Sequence, residues 1–424
     1  MGVDRRGLGR YSLGIGDRFA HEADAQLAAF VAAADLGVEV TPVWNKSNRE
    51  HVVVGSEPAG VREAADAAVR ALEWPGAYFV DADHITADTV ARFLDPCDFF
   101  TLDVAGSIGR LAAEEAVQEF CSRHREFDAD VEVPGLDAPV GMTRETTERA
   151  ARQYLEAISA AGQLYRLIAA QRGEGTFLTE VSMDETDRPQ TPAELLVILA
   201  ALADQGVPVR TIAPRFSGRF SKGVDYVGDA AEFAAEFAAD IAVIRHAVAV
   251  YGLPDDLKLS VHSGSDKFSI FPAIREAIRE SGAGVHVKTS GTTWLEEVIG
   301  LAEAGAEGLA LVQDVYAGAH ERRVELCAPY AAVIDIDPAL LPTPVEVRGW
   351  APERFAATVR HDRRDPVYDR QVRQLMHVGY KVAAEMGDRY TESLLACRAS
   401  IARNVTDNIL ERHLRPLFID DQPE

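Results

Sequence analysis

Residues 259–268 read Leu-Ser-Val-His-Ser-Gly-Ser-Asp-Lys-Phe, and residues 285–292 read Val-His-Val-Lys-Thr-Ser-Gly-Thr. In both, apolar and polar side chains alternate with the period of a strand, histidine and lysine stand together, and a glycine frees the backbone for a turn into a helix. Strand, polar mouth, helix is therefore the unit to look for elsewhere in the chain.

Working outward, eight runs of strand character occur, at 11–15, 38–43, 77–80, 99–102, 177–182, 209–213, 257–261 and 284–287. Alanine-rich or amphipathic stretches near 22–36, 57–72, 87–94, 192–205, 230–251 and 271–280 predict helices between them. Eight such units predict the α/β class and a TIM-type (β/α)8 barrel. The fourth connection, 107–175, is far longer than an ordinary βα loop and reads as a helical insertion near the barrel mouth, with a Pro/Gly-punctuated stretch at 134–141 before a helix over 144–172. A helix over 293–304 completes the eighth unit and closes a barrel domain spanning 11–306. Residues 307–424 read as a C-terminal helical appendage, in which the segment from Gln371 through His377 is expected to pack back on the barrel.

The length of 424 residues suits one barrel with appendages. A net charge of -24 repels polyanions, which argues against nucleic-acid and anionic-membrane partners. An anionic substrate must then be held by locally placed Arg and Lys. Cys97, Cys121, Cys327 and Cys397 are far apart with no CxxC pair, which indicates neither a structural zinc site nor a disulfide framework and fits a reducing cytoplasm. The basic first ten residues are not followed by an apolar stretch of signal-peptide length, and no run could span a bilayer, so a cytoplasmic protein is expected. A homo-oligomer is compatible with the chain.

In a barrel of this type the active site is built at the carboxyl ends of the strands. The residues there include Asp17 and Arg18, Asp83 and His84, Glu185, Arg215, His262 with Asp266 and Lys267, and His286 with Lys288. His84, His262 and His286 can supply three imidazole nitrogens to one divalent cation, with Asp83 and Glu185 either as oxygen ligands or as acid and base. A structural reading competes for each: a single such histidine is as often hydrogen-bonded in a core, and Arg215, Lys267 and Lys288 could form ordinary salt bridges. No P-loop or GxGxxG fingerprint is present. The turns 263–265 and 290–292 after strands seven and eight could instead seat a phosphate or a carboxylate on helix N-termini, its charge balanced by Arg215, Lys267 and Lys288.

Several blocks carry a family likeness: Gly16-Asp17-Arg18, Asp81-Ala-Asp83-His84, Ser182-Met-Asp184-Glu185-Thr-Asp-Arg-Pro-Gln-Thr191-Pro192, Arg215-Phe216 with Lys222-Gly-Val-Asp-Tyr-Val-Gly228-Asp229, the stretches 262–268 and 286–292, and Val372-Arg-Gln-Leu-Met-His377-Val. In these the chain resembles the tagaturonate epimerases, from about Tyr11 to beyond His377, with His-Ser-Gly-Ser-Asp-Lys-Phe the most specific block. It departs from them in a nearly absent segment before the first strand and in the stretch 44–54. The resemblance implies a metal-dependent isomerase that interconverts tagaturonate and fructuronate in hexuronate breakdown. Asp83 is then the proton acceptor, Glu185 the proton donor, and His84, His262 and His286 the ligands of a divalent Zn, Mn, Ni, Co or Fe. Asp17, Arg18, Arg215, Asp266, Lys267 and Lys288 are the substrate-binding candidates, and a small sugar acid is the expected partner. Such inversion of a carbon two bonds from a ketone calls for retro-aldol cleavage and re-addition; were the centre next to the ketone, two carboxylates could shuttle a proton. The alternatives are a metal-dependent sugar or sugar-acid isomerase or aldolase, and a non-catalytic sugar-acid-binding barrel.

Overall fold

Eight parallel strands close on themselves in sequence order: β1 Tyr11–Gly16, β2 Thr41–Ser47, β3 Phe79–Ile85, β4 Phe99–Asp103, β5 Leu178–Ser182, β6 Val209–Ala213, β7 Lys258–Val261 and β8 Val285–Thr289. This computed structural model describes residues 7–289 and 291–419. Residues 1–6, in the basic N-terminal run, Ser290 of the strand-eight turn, and residues 420–424 lie outside the described residues.

The first ten α-helices are α1 Ala23–Asp35, α2 Asn48–Val54, α3 Pro58–Ala71, α4 Glu114–Arg123, α5 Arg144–Arg172, α6 Pro192–Asp204, α7 Ala230–Tyr251, α8 Phe271–Ser281, α9 Thr292–Glu303 and α10 Ala306–Glu321. Their starts follow local chemistry. Thr191 and Glu194 form a reciprocal capping box on α6 with Pro192 in its first turn, and the Asp229 carboxylate accepts from the amides of Ala231 and Glu232 at the start of α7. The helix predicted over 87–94 is instead a single 3-10 turn, Val90–Phe93. Thr86 and Thr89 bond to one another and to the local backbone, and Pro96 follows at once, so this stretch favours a turn. The long helix in the fourth connection begins and ends where its sequence predicts. It packs on β4 and α6, and so takes the place of the fourth barrel helix. The inserted part is thereby confined to the short elements before it, including α4.

Beyond α10, short helices fold back over one side of the barrel. Pro352–Val359 and Arg398–Asp407 cover α9, and Arg398–Asp407 also reaches α1. This explains why α9 has no polar face: its residues from Thr292 to Ala302 are all buried. Gly300 allows the approach, because a Cβ there would stand 2.6 Å from the Ile401 Cα. No helix among the described residues is long and apolar enough to cross a membrane.

The barrel interior is layered. Its lower part is an apolar plug of Leu8, Val43, Phe79 and Phe99. Above it the inward positions, two apart along each strand, are Asp81 and Asp83, Thr101, Glu180 and Ser182, Thr211 and Lys288. Branched aliphatic residues usually fill such a barrel. Here a buried ionic layer does so.

Candidate active site

The centre of that layer is Lys288 on β8. Its Nζ lies 2.7 Å from Asp81 Oδ2, 2.7 Å from Asp83 Oδ1 and 3.0 Å from Glu180 Oε1, and donates to Thr101 Oγ1 at 2.7 Å. Gly14 makes room for its stem, since a Cβ there would come within 3.1 Å of Lys288 Cγ. Burial opposes the ammonium, yet the three carboxyls outweigh it and hold Lys288 well above its usual range. Burial likewise opposes ionised Glu180, but Lys288 and His262 hold it well below the usual carboxylate range. Asp81 must share Lys288 with two other acids, and burial pushes it up.

Two histidines stand on this layer at the mouth. His262, just after β7, has Nε2 at 2.7 Å from Glu180 Oε1 and Nδ1 at 3.2 Å from Asp184 Oδ1. His84, near the end of β3 and at a positive φ of 53°, has Nδ1 at 2.8 Å from Asp83 Oδ1 and Nε2 at 3.4 Å from Asp184 Oδ1. In each ring a carboxylate takes one nitrogen and the other is aimed at Asp184. That is the arrangement by which an outer carboxylate fixes the tautomer of a ligating imidazole. Each ring nitrogen that faces the Asp184 oxygen needs a proton or a cation between the two. His84, Asp184 and His262 each offer a ligand atom, all within 4.8 Å of one another, and a mixed N/O donor set suits a divalent transition metal. These residues therefore fit the cation that the family resemblance implies.

The structure treats the sequence-derived candidates unevenly. It brings His84, His262, Asp83 and Lys288 together. His286, expected as the third imidazole, is not with them: it faces inward two residues below Lys288 on the same strand face, about 6–7 Å deeper into the barrel. Its Nδ1 is 2.9 Å from Ser12 Oγ, its ring is 5.6 Å from that of Phe99, and burial pushes it down to about 3. The third group in reach is Asp184. Asp17, expected at the substrate, instead accepts the amides of Phe19, Ala20 and Glu22 and shapes the turn into α1. Asp266 and Lys267, also expected there, are engaged by the protein itself. Asp266 is fully buried against Arg373 at 2.8 Å, and Lys267 donates to the carbonyls of Ser221, Val224 and Ser265 while burial pulls it down to about 7.

Arg18 is buried between Glu50, the His377 carbonyl and the Tyr380 ring. Arg215 is half-buried and donates to the Asp184 carbonyl at 3.3 Å, and Glu185 is exposed in the loop after β5. Sequence reasoning passed over Glu180, and placed Asp184 beside Glu185 at the end of strand five without giving it a role. Their signal was present, because Glu180, Ser182 and Asp184 repeat with the same two-residue period that puts Asp81 and Asp83 on one inward face.

A tagaturonate epimerase from Thermotoga maritima, named tagaturonate/fructuronate epimerase, is 30% identical over 305 residues, 69% of this chain and 60% of that protein, so the matched region spans about three-fifths of its relative. A glycerol complex of the fructuronate-tagaturonate epimerase from Cohnella laeviribosi superposes with a TM-score of 0.80 at 25% identity, covering 98% of this chain and 82% of the other. The native crystal structure of that epimerase superposes at 0.78 with 24% identity, with the same shares covered, and supports the fold. The model of the tagaturonate epimerase family matches residues 4–396, and the chain belongs to that family.

Proposed function

We propose that the protein is an isomerase that inverts the hydroxyl-bearing carbon two bonds from the ketone of a keto-hexuronate, interconverting tagaturonate and fructuronate. The observation that carries this reading is the convergence of His84, His262 and Asp184 beside Asp83 at the mouth of a barrel of this family. A divalent cation held by those three side chains would polarise the ketone and offset the charge that develops on it. Asp83 accepts the proton of the substrate hydroxyl. Its Oδ1 is already shared by Lys288 and His84, so this falls to Oδ2. Burial would raise Asp83, but Lys288 and His84 outweigh it and hold the carboxyl well below its usual range.

Loss of the hydroxyl proton lets the bond between that carbon and the one beside the ketone break, leaving an aldehyde. Re-addition to the other aldehyde face restores the bond, and Glu185 returns the proton from the loop after β5. The test is proton NMR of metal-loaded protein with tagaturonate in deuterated water, beside an EDTA-stripped control. Fructuronate formed only with metal, with no deuterium at the inverted carbon, is the expected result. Deuterium at that carbon would replace cleavage by a two-base shuttle. Bound metal without turnover of either compound would overturn the substrate assignment.

A further inference from the structure

The helix Arg370–Val378 of the C-terminal appendage brings to the mouth a histidine that the mechanism above leaves unused. His377 is 1% exposed, and neither of its ring nitrogens has a hydrogen-bond partner among the described residues. The ring lies against the start of α9: a Cβ on Gly291 would stand 2.0 Å from Nε2, and a Cβ on Gly223 would stand 3.4 Å from Cδ2. Thr292, the first residue of α9, has a buried Oγ1 that is also without a partner among the described residues, and none of their side chains caps this helix. Lys222 belongs to the loop that touches His377. Its Nζ donates to Ser263 Oγ at 2.9 Å, beside His262, and makes no other side-chain bond among the described residues. The loop is bolted in place, with Gln374 donating to the Lys222 carbonyl at 3.2 Å and Arg373 to that of Gly223 at 2.5 Å.

Buried polar groups without partners are costly to keep, and several around one helix N-terminus mark a place for an anion. The charge balance selects the kind of anion. Asp184, Glu50 and Asp83 already act on the Lys222 ammonium, with Arg49 opposing them, so the positive charge left over matches a monoanion better than a dianionic phosphate. Burial and the neighbouring Arg18 and Lys222 keep His377 well below its usual range, so it donates as a neutral ring. We propose that Lys222, His377 and Thr292 at the amino end of α9 bind the carboxylate of the substrate, and so select uronates over neutral ketoses. The inference rests on the epimerase reading above. It adds which residues recognise the acid group.

The test pairs each acid with its neutral counterpart. For wild type, Lys222→Met, Lys222→Gln and His377→Asn, with folding checked by circular dichroism, kcat/KM is measured on tagaturonate and on tagatose. Binding of galactonate and of galactitol is measured by calorimetry. Each Lys222 variant is expected to lose roughly 100-fold on tagaturonate and on galactonate, and His377→Asn about 10-fold, while tagatose and galactitol change by less than about threefold. Equal losses on acid and neutral compounds, or no loss on the acids, would overturn the carboxylate site and leave the epimerase reading standing. Wild-type binding of galactonate without turnover of tagaturonate would overturn the epimerase reading and leave the site standing. Wild-type protein that binds galactonate no better than galactitol would overturn the site.

Discussion

Arg373→Met should detach the C-terminal helices from the barrel mouth. Arg373 is fully buried, paired with Asp266 at 2.8 Å, and donates to the carbonyls of Gly223 at 2.5 Å and Val359 at 2.6 Å. One side chain thus ties the strand-seven turn, the loop after β6 and the end of helix Pro352–Val359 together. Removing one partner of a buried ion pair costs about 3–5 kcal/mol, because the other charge is left unpaired. The two carbonyls lose a charged donor as well, so the total is at least about 4 kcal/mol. In a chain of this size that lowers Tm by about 5 °C or more. The assay is differential scanning fluorimetry together with limited trypsin digestion, where early cleavage after Arg360 or Arg370 reports local detachment. Asp266→Leu with Arg373→Met should recover part of the loss, since no buried charge then remains. The reasoning is refuted if the single variant melts within 1 °C of wild type, or if the double variant is less stable than the two single effects added.

Three further outcomes follow from the same geometry. His262→Ala should abolish retention of added Mn or Zn after stripping and desalting, measured by elemental analysis, whereas His286→Phe should keep it; equal loss in both would restore His286 as a ligand. Gly291→Ala should force His377 aside and lower kcat/KM on tagaturonate at least tenfold, and in a His377→Ala background the same change should cost less than about twofold, because the colliding atom is gone. Glu22 is 1% exposed, and burial, with help from Asp17, raises it to about 8. The folded state therefore binds a proton that the unfolded state has lost above its ordinary value of 4.5. Stability from this group is full below that value and is lost as pH rises towards 8, by on the order of 5 kcal/mol at about 1.4 kcal/mol per unit. Urea unfolding midpoints of wild type should fall over this window, those of Glu22→Gln should fall less, and parallel slopes would count against the assignment.

The fold was legible because the period that makes a parallel strand, and the glycines that let it turn into a helix, are local properties. All eight strands are recognisable in the sequence, and the helices Arg144–Arg172 and Ala230–Tyr251 match their predicted limits. The strand ends were less legible. Asp81 and Asp83 read as a polar mouth after a strand at 77–80, yet β3 runs on to Ile85 with both acids facing inward. A charge inside a barrel contradicts the local hydrophobic rule, and it is tolerated only because Lys288, more than 200 residues away, lies against it. The candidate site divides along the same line. Which residue types gather at one end of the barrel is written in the strand-end motifs, so the sequence alone determined a mouth rich in histidine, carboxylate and lysine. Which of them meet depends on strand register and depth. His286 and Lys288 share one face of β8, so one layer of barrel geometry seats Lys288 among three carboxylates and leaves His286 beside Ser12 and Phe99. Asp184 takes the third place near His84 and His262, and Asp266, Lys267 and Arg373 become struts. Pairings of this kind are set by distances across the closed sheet, which only tertiary structure decides.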